Sequence, residues 1–274
     1  MSPAVSMEAP TTPKRLQSKV AIITGGASGI GASTVHLFWE NGATIVIADI
    51  QDDLGQAIAN DLGDTVSYVH CDVSNEDDVR NLVDATVSRH GKLDIMYNNA
   101  GVIDRTFGSI LDTKKSDVER VLSVNLVGAF LGAKHAARVM VPRGKGCILF
   151  TASACTAIAG ISTPTYAASK HGVVGLARNL AAELGQFGIR VNCVSPFAVI
   201  TGIARGPVSE ADIAEAEAAL SERSNLKGQI LKADGIARAA LYLASDDAYY
   251  VSGLNLVVDG GFSVVNPSLT RHIK

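Results

Sequence analysis

Short apolar, mostly β-branched runs alternate along this chain with longer stretches whose apolar residues recur every three or four positions. The short runs fit buried strands and the longer stretches amphipathic helices. The first run, 19–24, closes on Gly25-Gly26. A helical stretch over 29–41 follows, with Ile30, Thr34, Leu37 and Phe38 on one stripe and Gly42 as its stop. A second strand at 44–48 ends on Asp49, so residues 19–49 form one strand–turn–helix–strand unit. The alternation then predicts a helix at 54–62, a strand at 66–69, and a helix at 77–89 behind the cap-like Ser74-Asn75-Glu76. A strand at 93–97 leads to a long helix over 116–140, broken by Pro142 and Gly144. A strand at 146–151, a helix at 166–187 and a strand at 190–194 come next. Residues 196–232 are irregular apart from an Ala/Glu-rich helix at 209–221, and a helix at 234–244 and a strand at 254–258 complete the pattern. Seven apolar strands alternating with helices predict an α/β fold: a single Rossmann-type, doubly wound, seven-stranded parallel sheet with helices on both faces.

Composition narrows the class. With 274 residues, 47% hydrophobic and 19% charged, the chain can bury a large core without disulfides. The net charge of −3 and the lack of a basic stripe argue against nucleic acid as a partner. The four cysteines are scattered with no Cys-x-x-Cys, which reads as free thiols in a reducing, cytoplasmic compartment. His70-Cys71-Asp72 is not expected to hold a metal, because neighbouring strand residues point to opposite faces. No run approaches the ~20 apolar residues of a membrane span. Residues 1–15, with three prolines and no apolar core, are expected to be a disordered tail before a single domain at 16–274.

Three places carry candidate chemistry. Tyr166 and Lys170 lie four apart on a predicted helix and so share a face. A cation beside a phenol favours phenolate and makes a general acid/base, although such pairs also occur as plain surface contacts. Ser153, just past the strand at 146–151, can present its hydroxyl to the same space. The turn Thr24-Gly25-Gly26-Ala27-Ser28-Gly29-Ile30-Gly31 joins the first strand to the first helix, where main-chain N–H groups and the helix dipole favour a phosphate. Its spacing is G-x-x-x-G-x-G and not the general G-x-G-x-x-G, so glycines needed only for tight packing remain an alternative. Asp49, 18 positions beyond Gly31, suits the adenosine ribose hydroxyls of a dinucleotide and would repel a 2′-phosphate.

Together with Asn98-Asn99-Ala100-Gly101 and Asn125, these elements resemble the short-chain dehydrogenase/reductase family over about residues 17–265. The wording of 171–185 and 250–263 resembles the plant branch around secoisolariciresinol dehydrogenase and borneol dehydrogenase. The resemblance implies that Tyr166 is the acid/base, that Lys170 binds the nicotinamide ribose and lowers the Tyr166 pKa, and that Ser153 holds the reacting oxygen. It implies that Asn125 kinks the long helix and holds a proton-relaying water. It places NAD on Gly25, Ser28, Gly29, Ile30 and Gly31, with Asp49 and Ile50 at the ribose and Asp72 and Val73 at the adenine. Asn98, Ala100 and Gly101 would line the groove, and Pro196, Val199 and Thr201 would meet the nicotinamide.

Where the family usually has Pro-Gly, this chain has Pro196-Phe197, which turns a large ring towards substrate. A lid at about 203–228 would bring Ile203, Leu220 and Leu226 over an apolar molecule. The expectation is an NAD-dependent dehydrogenase, forming a homotetramer, for a secondary alcohol on an apolar cyclic plant metabolite: a monoterpenol such as borneol, or a lignan diol. The alternatives are an NADPH-dependent ketone reductase and a non-catalytic dinucleotide-binding protein.

Overall fold

The computed structural model describes residues 14–105, 109–200 and 209–265. Strands β1 (Val20–Thr24), β2 (Thr44–Asp49), β3 (Val66–His70), β4 (Ile95–Asn98), β5 (Gly146–Thr151), β6 (Ile189–Pro196) and β7 (Asn255–Val258) form one sheet. Its order is β3-β2-β1-β4-β5-β6-β7, and every neighbouring pair is parallel. The expected doubly wound sheet is therefore present.

Helices α3 (Glu76–His90), α5 (Ala129–Met140) and α6 (Pro164–Gly185) cover one face, and α1 (Gly29–Glu40), α2 (Asp52–Leu62) and α8 (Ala233–Ala244) the other. Alternate strand residues divide between the two layers. Ile22, Val46, Met96, Ile148 and Val191 face the first, and Ile23, Ile45, Ile47, Ile95 and Leu149 the second. Burial on both faces is why these strands read as continuous apolar runs and not as alternating ones.

Element ends shift where a side chain caps or caps fail. Helix α6 begins at Pro164, two residues earlier than its apolar pattern, because Thr163 caps it and Pro suits the first turn. The long helix is interrupted: α4 (Lys115–Leu122) passes through a π-helical stretch at Ser123–Gly128 before α5. Helix α7 (Glu210–Arg223) opens on a capping box between Ser209 and Asp212. At the N-terminal side, Arg15 Nε donates to Asp247 at 2.7 Å and Leu16 is fully buried, so Arg15 belongs to the folded body and not to a tail. Residues 1–13 lie outside the described part. Among the described residues no helix is long and apolar enough to cross a membrane.

The packing of α5 on β4 leaves no room for one extra carbon. A Cβ on Gly132 would stand 1.9 Å from Asn98 Oδ1 and 2.7 Å from the Met96 methyl. Gly132→Ala is expected to lower stability by about 1–3 kcal/mol, the usual range for overpacking, as measured by denaturant unfolding.

Candidate active site

The strand order reverses between β1 and β4, and crevices in such sheets open beyond the C-terminal strand ends at this point. There, a cavity of about 910 Å³ runs across the tips of β3, β2, β1, β4, β5 and β6. Five strand spacings of ~4.8 Å make it roughly 24 Å long, enough for an extended dinucleotide with a substrate at one end.

Most of the sequence-predicted residues meet on its wall. Gly25, Ser28 and Ile30 come from the first turn, and Asp49 and Ile50 from the end of β2. Asp72 and Val73 follow β3, and Ala100 and Gly101 follow β4. Ser153, Tyr166 and Lys170 occupy the far half, with Pro196 from the end of β6 and Phe197 and Val199 from the loop after it. Leu220 of α7 also reaches the wall. Thr201 and Ile203 lie outside the described residues. Leu226 does not join them: it is 58% exposed, and its N–H is bound to the Gly260 carbonyl at 2.9 Å.

The glycine turn is built first of all for contact with the protein itself. A Cβ on Gly31 would stand 1.9 Å from the Gly25 carbonyl oxygen, and one on Gly25 would stand 2.8 Å from Ala100 Cα. Gly25 and Gly29 also have φ of 63° and 54°, in the left-handed region. Gly29 and Gly31 thus shape the turn from behind the cavity wall. The N-terminus of α1 opens beside Gly25 and Ser28, and Ser28 makes no side-chain cap, which leaves the first-turn N–H groups to an anion. Asp49 is buried, with Oδ2 accepting the Ala27 N–H at 3.0 Å and Oδ1 accepting the Gln51 N–H at 3.1 Å. A phosphate-favouring helix end beside a fixed carboxylate fits the pyrophosphate and the adenosine ribose of a dinucleotide.

Asn98 is a correction. It was expected on the groove, yet its side chain turns towards α5 and donates to the Leu149 carbonyl at 3.3 Å. Its neighbour Asn99 takes the groove position, donating to the Thr24 and Gly25 carbonyls at 3.0 and 3.3 Å. Strand alternation held the signal: Met96 and Asn98 share a face, and Met96 belongs to the layer under α5.

The catalytic candidates converge on the floor beyond β5. Lys170 is buried and its Nζ donates to the Thr151 carbonyl at 2.8 Å, 5.6 Å from the centre of the Tyr166 ring. Ser153, in an extended backbone just past β5, lies near enough to the Tyr166 phenol to favour its ionised form. Part of the Tyr166 ring faces the cavity, but surrounding protein dominates its titration: burial pushes the phenol up to about 12, the Cys155 thiol adds to this, and the Ser153 hydroxyl opposes it. Burial likewise lowers Lys170 from 10.5 to about 8. The resemblance implies a Tyr166 pKa lowered by Lys170; here the phenol is raised instead, because the loss of water around it is the largest influence on it.

Asn125 sits in the π-helical stretch, fully buried, and acts through its neighbours. Its amide pairs with both main-chain groups of Val102, at 2.8 and 2.9 Å, and donates to Ser169 Oγ at 3.1 Å. Ser169 in turn donates to the Tyr166 carbonyl at 2.7 Å. These bonds clasp the loop after β4 to the Tyr166 turn of α6. The extra residue of the π turn is the irregularity implied for this helix.

Apolar groups surround the far end. Phe197 stacks on Phe262 with ring centres 4.7 Å apart, and Val102, Ile103 and Ile161 complete this wall. Phe262 and Ile161 are distant in sequence and carried no local signal. Among the described residues no group of three or more His, Cys, Asp or Glu is placed to hold a metal ion.

A phenol, a buried ammonium and a serine hydroxyl under a dinucleotide-sized crevice define an oxidoreductase, and comparison with known proteins agrees. The family model described as Enoyl-(Acyl carrier protein) reductase matches residues 25–263. The chain is 69% identical to (21S)-21-acetoxyl-apo-melianone synthase SDR of Melia azedarach, over 94% of each protein. It is 63% identical to (+)-borneol dehydrogenase 1 of Salvia officinalis, over 93% of this chain and 97% of that one. Identity to secoisolariciresinol dehydrogenase of Forsythia intermedia is 54%, over 92% of each. A crystal structure of a short-chain type dehydrogenase/reductase from Mycobacterium marinum superposes with a TM-score of 0.83 at 32% identity, covering 92% of this chain and 98% of that one. The chain belongs to the short-chain dehydrogenase/reductase family of nicotinamide-dinucleotide oxidoreductases, in its plant branch with the borneol and secoisolariciresinol dehydrogenases.

The buried lysine makes stability depend on pH in a defined direction. With its pKa lowered from 10.5 to about 8, the folded protein binds fewer protons there than the unfolded chain, so stability from this group is present above 10.5 and lost as pH falls through 8. Calorimetry of Lys170→Met should show the variant gaining most over wild type below pH 8, with the gap closing as pH rises towards 10.5.

Proposed function

We propose that this protein is an NAD-dependent alcohol dehydrogenase that oxidises a secondary hydroxyl on an apolar, cyclic plant metabolite, with a monoterpenol such as borneol as first candidate and a lignan diol as second. The observation that carries the reading is the meeting of Ser153, Tyr166 and Lys170 beneath an apolar wall led by Phe197 and Phe262. A substrate hydroxyl fits between Ser153 Oγ and the Tyr166 phenol. Ser153 donates to or accepts from that oxygen and orients the carbon that bears it. In its phenolate form, which the positive charge of bound NAD would favour, Tyr166 takes the hydroxyl proton. Lys170, bound to the Thr151 carbonyl, provides the next protonatable group, and of the two it gives up its proton first. Bound NAD would supply the acceptor for the hydride that leaves the carbinol carbon. The apolar wall excludes water and offers a smooth hydrocarbon surface few polar groups to answer.

Asp49 supports NAD over NADP, because its buried carboxylate stands where a 2′-phosphate would bring a second negative charge. The names of the borneol and secoisolariciresinol dehydrogenases point to the same class of alcohol. Val127 and Phe130 remain 45% and 49% exposed on the long helical stretch, which supports burial against further copies in a homotetramer. The free, buried cysteines suit a reducing compartment, and we place the enzyme in the cytoplasm.

A screen of terpenoid, lignan and alkaloid alcohols, followed by NADH absorbance, identifies the substrate; turnover only with NADPH and ketones would overturn the reading. With the substrate found, Tyr166→Phe should lower kcat by about 10²–10⁴-fold, the range of a lost acid/base. NAD affinity, measured by calorimetry, should stay within about twofold because the ring remains in place.

A further inference from the structure

A cluster of three side chains stands behind the tip of β2, outside the cavity and unused by the reaction. Tyr68 and His70 are two apart on β3 and so project to the same side. Asp52 opens α2. The Tyr68 hydroxyl lies 2.5 Å from Asp52 Oδ1 and 2.7 Å from the Asp49 carbonyl oxygen, sharing its one proton between them. His70 Nδ1 meets the same Asp52 oxygen at 2.7 Å. The Tyr68 ring is seated on Gly55, where a Cβ would fall 2.2 Å from it.

The other side of the same turn is fastened too. The Asp49 carbonyl also accepts the Cys71 N–H at 3.0 Å. Gln51 Nε2 donates to Asp49 Oδ1 at 3.1 Å and reaches Ser28 Oγ at 3.4 Å. The residue that would read the ribose is thus held by its carboxylate from within the cavity and by its main chain from behind.

We propose that Tyr68, Asp52 and His70 are positioning residues that fix the Asp49–Asp52 turn, so that the Asp49 carboxylate is presented to a ribose diol and dinucleotide selectivity is set from outside the cavity. This rests on the reading of Asp49 as the ribose-binding acid. Geometry favours it over simple docking of α2, because the phenol bonds to the main chain of the selective residue itself. The titrations support it: burial and then Asp52 raise Tyr68, keeping it a donor, while Tyr68 and then His70 lower Asp52, keeping it a carboxylate.

The test compares full-length wild type with Tyr68→Phe, which keeps the ring on Gly55, and with Asp52→Asn. Calorimetric titration with NAD and with NADP, hydrogen exchange of 49–55 in the free protein, and kcat at saturating NAD are read together. The expected result is NAD binding weaker by about three- to tenfold, the scale of one lost hydrogen bond, with NADP binding little changed. Exchange at 49–55 should quicken, and kcat should stay within about twofold. Faster exchange or lower Tm with an unchanged NAD:NADP ratio in both variants would overturn the proposal and leave a purely structural fastening. Asp49→Ala separates the two readings: if it leaves the wild-type ratio unchanged, the ribose assignment itself fails, and the proposal falls with it.

Discussion

The reversal of strand order between β1 and β4 is the constraint on which the rest depends. Right-handed crossovers send the helices following β1 and β4 to opposite faces, so neither helix covers the strand tips between them. The crevice is what remains. Because β1 and β4 are neighbours, their two loops must share one narrow space. That is why Gly25 approaches Ala100 so closely, and why Gly31 tolerates nothing larger against the Gly25 carbonyl. The glycine turn satisfies this packing and opens the α1 N-terminus at the same time. The two explanations for its glycines are therefore one.

Along the crevice the chemistry is graded. At the β2 end a fixed carboxylate and a helix N-terminus offer polar, directional contacts. At the β6 end Phe197 and Phe262 offer a broad apolar surface. Between them lies a buried lysine, held by a carbonyl and beneath a phenol whose charged form is disfavoured by the same burial. Burial of both groups makes their protonation depend strongly on any further charge brought alongside.

The clasp across the site runs through α4, the π turn and α6. Asn125 places an amide against Val102 and Ser169, and Ser169 holds the main chain at Tyr166. A buried amide with its partners satisfied is rigid, because any displacement leaves a polar atom unpaired. The loop after β4 and the acid/base turn consequently share one reference point.

The sequence by itself determined the sheet, the helices and most of the crevice. Strands buried on both faces must be apolar throughout, and helices beside them must carry an apolar stripe, so their order is written in the period of the chain. Tyr166, Lys170, Asp49 and the glycine turn were legible because each chemistry needs fixed spacing within one element or one βαβ unit. Tertiary structure alone decided what depends on distant partners. It set Asn99 and not Asn98 on the groove, Phe262 against Phe197, and Leu226 away from the cavity. It also raised the Tyr166 phenol through burial, since adjacency on a helix says nothing of how deeply the pair is buried. Spacing fixes which groups share a face; only the packed surroundings fix how much water each group loses.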